Sequence, residues 1–408
     1  MYPLITTILV LVLCLVAAWK IIGSPVNAVS AFSGLWLLSL TCLAFFSETV
    51  EFVTTKAALI VMGVHLAFFI VYIFTSVTLK GSNKLKTRET LRYPRVRSKN
   101  KHASNYLKWS WRVSTVISIA GAVLAVQNSN MLVMMREEAI AATRGDILQG
   151  SLAVPFHIRF MCNLLYISAL AGALLFRHRQ TWIYIFPTFF GLILYSFSNG
   201  GRGAVLVGGL LVFWGVCSSR SVSRQSIYAL CTLCAIILFY VVYIATTRPN
   251  VDWIGNLASL YGPVPALSQL IERGAIGGAA GLNLTDTIIY REYNAAIGIR
   301  AERYIEGIVV GIPFTYNVYT FIADQVYALG YGGMFLIIIF GGALVAFLDV
   351  EKVSNSWCSV RSTVYLYLSY TLYTDLAIFM AGWWLLLLWS IVYLFLDSEP
   401  DQQRRTAQ

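Results

Sequence analysis

Apolar residues in this chain run almost unbroken for long stretches, interrupted by short polar breaks. A helix needs about 20 apolar residues to cross the hydrocarbon core of a bilayer. Runs of that kind predict eleven spans, at 3–19, 28–47, 57–79, 113–130, 152–176, 182–198, 203–219, 227–245, 331–349, 362–379 and 382–397. The fold class expected is all-α, a polytopic integral membrane protein of about 11 transmembrane helices with one long loop. Three regions follow: helices over 1–245 with a basic loop at 80–112, a long loop at 246–330, and helices with a polar tail over 331–408. The polar breaks are too short for a separate soluble domain of about 100 residues. The first run lacks a small-residue cleavage site and reads as a retained helix. No internal repeat of the kind built into secondary transporters is visible.

Charge orients these spans. The 80–112 loop holds Lys80, Lys84, Lys86, Arg88, Arg92, Arg95, Arg97, Lys99, Lys101, Lys108 and Arg112, opposed by Glu89 alone. Loops rich in Lys and Arg stay in the cytoplasm, and such a run can also contact anionic headgroups of membrane lipids. With that loop inside, Arg177 to Arg179, Arg220, Arg224, Lys352, Arg361, Arg404 and Arg405 also fall inside. The loops at 48–56 and 131–151, with Glu48, Glu51, Glu137, Glu138 and Asp146, fall outside. The N-terminus is then outside and the C-terminus inside. The 246–330 segment is outside, and it is too rich in aliphatic and aromatic residues to be a disordered linker. Within it, IEGIVVGIPF (305–314) is apolar enough to touch the membrane, so 304–325 is expected to be an interfacial amphipathic helix, a re-entrant segment or a further span.

Composition agrees: 58% of residues are hydrophobic and 12% charged, against about 25% charged in an ordinary globular domain. The formal charge of +11 does not indicate nucleic acid as a partner, because it is concentrated in one loop rather than spread over a folded face. Cys231 and Cys234 form a C-x-x-C, but inside a span, away from the βαβ setting in which such motifs are redox-active. The four histidines, His65, His102, His157 and His178, form no pair on one helical turn, and no spaced Cys/His set suggests a metal or other cofactor.

The informative residues are arginines that break the inside bias: Arg202 at a helix edge, then Arg248, Arg273, Arg291, Arg300 and Arg303. Arginine presents a permanently charged planar fork that suits phosphate. Arg202 follows Asn199, Gly200 and Gly201 and opens a helix, where free backbone N–H groups favour an anion. The bland role for each arginine is snorkelling or pairing with a nearby acid; Arg248 can anchor a span end, and Arg273 and Arg303 have Glu272, Glu302 and Glu306 beside them. Asp252, Asp286, Glu292, Glu306 and Asp324 share the outer compartment. One of them could take a proton from a sugar hydroxyl, while Asp286 and Glu292 could equally hold Arg291 in place. Asp375 lies inside an apolar run, where an acid is either functional or paired with an arginine. Tyr290 and Tyr319 belong to a tyrosine-rich loop. Such rings stack on sugars but also populate membrane interfaces generally.

Four features resemble the O-antigen (oligosaccharide repeat-unit) polymerases of the Wzy type. They are SNGGRGAVL (198–206) leading from an outward turn into a span, and the arginine-rich outer loop that follows. The third is PFTYNVYTFIADQVYALGYGGMFLIIIFGG (313–342), with Asn317-x-Tyr319-Thr320 before a Leu-Gly-x-Gly-Gly. The fourth is Arg300 followed after ten residues by Gly311. The resemblance covers roughly 195–350, and Arg202 lacks a glycine at that ten-residue spacing.

The resemblance implies a glycosyltransferase of the bacterial inner membrane, active at its periplasmic face and similar in fold to GT-C enzymes and to the O-antigen ligase. Its substrate would be an oligosaccharide on undecaprenyl diphosphate. A chain-length regulator, a polysaccharide co-polymerase, would be its partner in lipopolysaccharide biosynthesis. Arg202, Arg291, Arg300, Asp286 and Glu292 become the expected catalytic set. Arg248, Asn199, Tyr290, Asn317, Tyr319 and Asp324 become the expected substrate-binding set, with transfer expected to need no metal. Two rivals stand beside it. An O-antigen ligase is expected to carry an important histidine in the outer loop, and 246–330 has none. A polysaccharide flippase or other transporter is expected to place its charges deep in the spans rather than at one outer edge.

Overall fold

The computed structural model describes residues 2–45, 53–84, 101–128, 155–179, 181–198, 203–217, 261–272, 308–311, 314–316, 320–350, 355–373 and 381–398. These are helical apart from one small hairpin. Long apolar runs give α1 (Tyr2–Ile22), α2 (Ala28–Phe45), α3 (Thr55–Lys84), α4 (Lys101–Asn128) and α5 (Phe156–Arg179). A 3-10 turn at Trp182–Tyr184 leads into α6 (Phe186–Ser198), and α7 (Gly203–Cys217) follows. After α8 (Pro263–Glu272) and the hairpin β1 (Ile308–Gly311) and β2 (Phe314–Tyr316) come α9 (Phe321–Val350), α10 (Asn355–Tyr370) and α11 (Ala381–Ser398). Among the described residues, 6 helices are long and apolar enough to cross a membrane, and α6, α7 and α11 are shorter apolar helices. This is the pattern of a polytopic membrane protein. The expected span at 227–245 lies outside the described residues.

Two cores form. One gathers α1, α2, α3, α8 and α9 around Phe32, Trp36, Phe68, Leu267 and Phe321. The other gathers α4, α5, α6, α7 and α11 around Leu107, Leu170, Leu192 and Trp389. In the second core, Gly172 lets the backbone carbonyl of Tyr184 approach so closely that a Cβ would collide with it. Helix α10 lies between the two cores, giving Tyr365 and Leu368 to the first and Cys358 and Leu366 to the second. No residue from 356 to 373 is exposed. Three indoles from three helices hold α10: Trp36 donates to the Thr371 hydroxyl at 3.0 Å, Trp214 to that of Ser369 at 2.9 Å, and Trp383 to the Thr363 carbonyl at 3.2 Å.

This central place corrects the start of the expected span at 362–379, whose residues 374–379 lie outside the described residues. The helix runs from Asn355 to Tyr370, because its polar residues are satisfied inside the protein. Ser359, Ser362 and Thr363 donate to carbonyls three or four residues back, so no lipid-facing run is required. The span at 113–130 is also corrected, since α4 begins at Lys101. The basic loop is therefore helical at both described ends, as α3 reaches Lys84. Among the described residues of 305–314, 308–311 and 314 are strand. Ile308 pairs with Tyr316 and Val309 with Thr315, residue types that favour strands.

One end of the bundle is tied by a buried ion pair. Asp349, at the end of α9, meets Arg361 of α10 at 3.2 Å, with side chains 8% and 7% exposed. Its carboxylate also accepts from the hydroxyls of Tyr72 (2.6 Å) and Tyr365 (2.7 Å) and from the Ala28 N–H (3.3 Å). Arg361 donates to the Leu348 carbonyl at 2.9 Å. Ala28 is the first residue of α2, where a free N–H favours an anion, and Asn27 caps the same helix through the Ser30 N–H at 3.0 Å. Beside it, Lys80 donates to the Ile22 carbonyl at 3.2 Å.

Removing one partner of such a pair leaves a buried charge uncompensated. Asp349→Ala is expected to destabilise the protein by about 3–5 kcal/mol. Tyr72→Phe, which removes one hydrogen bond to a charged group, is expected to cost about 1.5–3 kcal/mol. Equilibrium unfolding in mixed micelles measures both; an Asp349→Ala protein as stable as wild type would remove the pair from its structural role.

Candidate functional site

Of the expected site residues, Asp324 lies within the described part. Arg202, Arg248, Arg291, Arg300, Asp286, Glu292, Asn199, Tyr290, Asn317 and Tyr319 lie outside it, as do Arg273, Arg303 and Asp375. The elements that flank two of them meet at one place.

Asp324 stands in the first turn of α9 and is 3% exposed. Thr320 caps this turn, its hydroxyl accepting from the Ala323 N–H at 3.4 Å. The opening turns of α9 are a separate helical piece, broken from the span by Gly330 at φ 70, ψ 176. That backbone region is essentially confined to glycine. Residues 320–326 are all buried, in the company of Tyr261, Leu267 and Leu270 of the α8 segment. The expectation of a plain span starting at 331 therefore misses a buried, polar-bearing helical turn ahead of it.

A closed set of contacts fixes this turn against the bundle. The Phe321 N–H donates to the Thr371 carbonyl at 2.9 Å. The Thr371 hydroxyl accepts from Trp36, whose ring lies 5.2 Å from His65. The His65 ring lies 4.5 Å from that of Phe32, tilted by 41°, and Phe32 returns to Phe321 at 5.9 Å. The His65 Nδ1 and the Ser33 hydroxyl share a hydrogen bond of 3.0 Å. Sequence reasoning assigned His65 no role because it has no neighbouring ligand; a signal was available in Ser33, Trp36 and His65 being polar groups within apolar runs.

The start of α7 arrives at the same end of α10. A Cβ on Gly203 would stand 3.5 Å from the Tyr370 hydroxyl. Gly203 is the residue after Arg202, and Ser198, the last residue of α6, is buried. Tyr370 and Thr371 are consecutive. Gly203, at the start of α7, and the Asp324 turn thus both lie against the C-terminal end of α10. Just before α3, the Thr54 N–H donates to the Ser268 hydroxyl of α8 at 3.3 Å, fixing α8 to the bundle.

A pocket lined by Ile22, Ser24, Val26, Cys217, Asp349, Arg361 and Tyr365 opens at the opposite end of α10. Its carboxylate is already engaged by two hydroxyls, an N–H and a guanidinium, which suits a structural joint better than a ligand site. Among the described residues, no group of three or more His, Cys, Asp or Glu could hold a metal ion. No protein-family model, curated protein or solved structure matches the chain.

A side chain at Gly330 would strain the break that aims Asp324. Gly330→Ala is expected to cost on the order of 1–3 kcal/mol, while Gly332→Ala, with open space around it, is expected to be close to neutral. Thermal unfolding of the two variants in one detergent checks this; equal melting would mean that the break relaxes freely.

Proposed function

We propose that the chain is a lipid-linked repeat-unit polymerase of the O-antigen type, a glycosyltransferase crossing the bacterial inner membrane about eleven times, with 246–330 on the periplasmic face. The observation that carries this reading is the meeting of two elements at the C-terminal end of α10: the start of α7, next to Arg202, and the turn bearing Asp324. The features of the resemblance, one around 198–206 and another around 313–342, flank that meeting point.

In the proposed reaction a hydroxyl of the incoming unit attacks the anomeric carbon of the chain carried on undecaprenyl diphosphate. The new C–O bond forms as the bond to the diphosphate breaks, and the electron pair leaves on the diphosphate oxygen. The hydroxyl proton passes to a carboxylate, for which Asp286 and Glu292 are the candidates. Arg202, with Arg291 and Arg300, stabilises the charge the leaving group gains, where preorganised donors contribute most; Arg248 lies in reserve. Asn199, Tyr290, Asn317, Tyr319 and Asp324 bind the sugars. Asp324 suits this because a carboxylate at a helix start can accept hydrogen bonds from sugar hydroxyls.

Purified protein given its matched undecaprenyl-diphosphate oligosaccharide, with no added metal, is expected to produce a ladder of lengthened products. Arg202→Ala is expected to reduce the rate by about 100-fold or more. Unchanged rates in correctly inserted Arg202→Ala, Arg291→Ala and Arg300→Ala proteins would remove the arginines from the mechanism. A folded wild type that makes no ladder from its own repeat unit would shift the function to ligation or transport.

A further inference from the structure

The N-terminal turns of α4 carry a feature the proposed reaction does not use. One face of this helix is exposed along its length, and its chemistry changes with depth. His102, Asn105, Trp109 and Arg112 are exposed first, then Val116 and Val123. Trp109 is 62% and Val116 70% exposed. The polar-to-apolar change falls at Trp109 and Arg112, and there the guanidinium lies 5.8 Å from the centre of the indole ring. A tryptophan at such a change marks the headgroup level of a membrane.

The opposite face is anchored, so the exposed one is rigidly presented. Ala103 and Leu107 are buried, and Tyr106 stacks on Trp389 at 6.3 Å and Tyr393 at 6.0 Å. The Trp111 indole donates to the Tyr184 carbonyl at 3.0 Å. This is the end of the bundle that holds the Asp349 pair, since Ser356 at the start of α10 donates to Asp397 at the end of α11 at 2.7 Å. Exposed Trp19, 55% accessible, and Lys20 close α1 at that end too. No acidic residue occurs in α4, and the chain just before it is basic, so nothing within the helix neutralises Arg112.

We infer that the Trp109–Arg112 face of α4 is a binding site for an anionic phospholipid headgroup. The guanidinium, steadied over the indole, takes the phosphodiester, and the acyl chains lie along Val116 and Val123. Arg112 supplies the site's positive charge, and the site is separate from the lipid diphosphate of the proposed reaction.

The full-length protein, with a photoreactive benzophenone amino acid at Asn105, is reconstituted in vesicles of phosphatidylglycerol and phosphatidylethanolamine and irradiated. Mass spectrometry then counts the lipid adducts. Phosphatidylglycerol is expected to exceed its bulk fraction about five-fold, the factor one basic side chain contributes near an anionic surface. The same probe at Phe340, exposed on α9, is expected to report the bulk ratio. Arg112→Gln, shown to elute as folded protein, is expected to bring the Asn105 ratio down to bulk. A bulk ratio in the wild type, or enrichment untouched by Arg112→Gln, overturns the assignment. So does loss of the adduct on adding inorganic phosphate, which would mean that the site reads free anions rather than lipid.

Discussion

The carboxylate of Asp349 is the constraint on which one whole end of this bundle depends. It takes hydrogen bonds or charge from the start of α2, from α3 and from two residues of α10, while itself ending α9. No apolar contact could do this, because in lipid the hydrophobic effect does not distinguish a neighbouring helix from an acyl chain. A desolvated charge does distinguish them, since it is tolerable only where all its partners are present together. The pair thus sets the register of α9 against α3 and of α10 against both. Side chains farther along then follow: Gly342 sits against the Phe68 carbonyl and Val71, and Gly63 beside Phe335.

Helix α10 carries that register to the other end. Its 16 residues reach only about 24 Å at 1.5 Å per residue, less than the hydrocarbon core of about 30 Å. It does not need to span alone, because it is surrounded by protein on every side. Its hydroxyls serve two purposes. Inward they fold back on their own carbonyls, as in Ser359 and Ser362, and outward they receive the indoles of Trp36 and Trp214. Small polar residues allow the surrounding helices to come close, which is how helices associate in membranes.

This explains which parts were legible in the sequence. Helices α1, α3 and the later part of α9 have a lipid-facing side, where Leu13, Ile70 and Phe340 are well exposed. Their hydropathy therefore announces them, and their boundaries come out nearly right. Helix α10 has no such side, so a rule written for lipid contact slid toward the apolar 370s and missed Ser356, Ser359 and Arg361. The start of α4 was hidden for a different reason. Basic residues signal a loop to a topology rule, yet Ala103 and Leu107 at helical spacing were there to be read. The 308–316 hairpin was missed because short apolar runs do not separate helix from strand by periodicity. For the candidate site, the sequence singled out Asp324 and the 198–203 turn from composition. Their shared tether to Tyr370 and Thr371 depends on tertiary packing, which no local pattern encodes.

The two ends of α10 differ in what they leave available. At the Arg361 end, a positive and a negative group lie together and their partners come from the same chain, so charge there is consumed in holding the fold. At the Tyr370 end, the described anchors are neutral: a carbonyl taking the Phe321 N–H, a hydroxyl taking an indole, and a glycine beside a phenol. A framework of neutral contacts positions Gly203, the residue that follows Arg202. In the proposed reaction that separation is what the chemistry requires. An arginine that must grip a diphosphate as its charge grows, and release it afterwards, is best carried by a scaffold that stands without it.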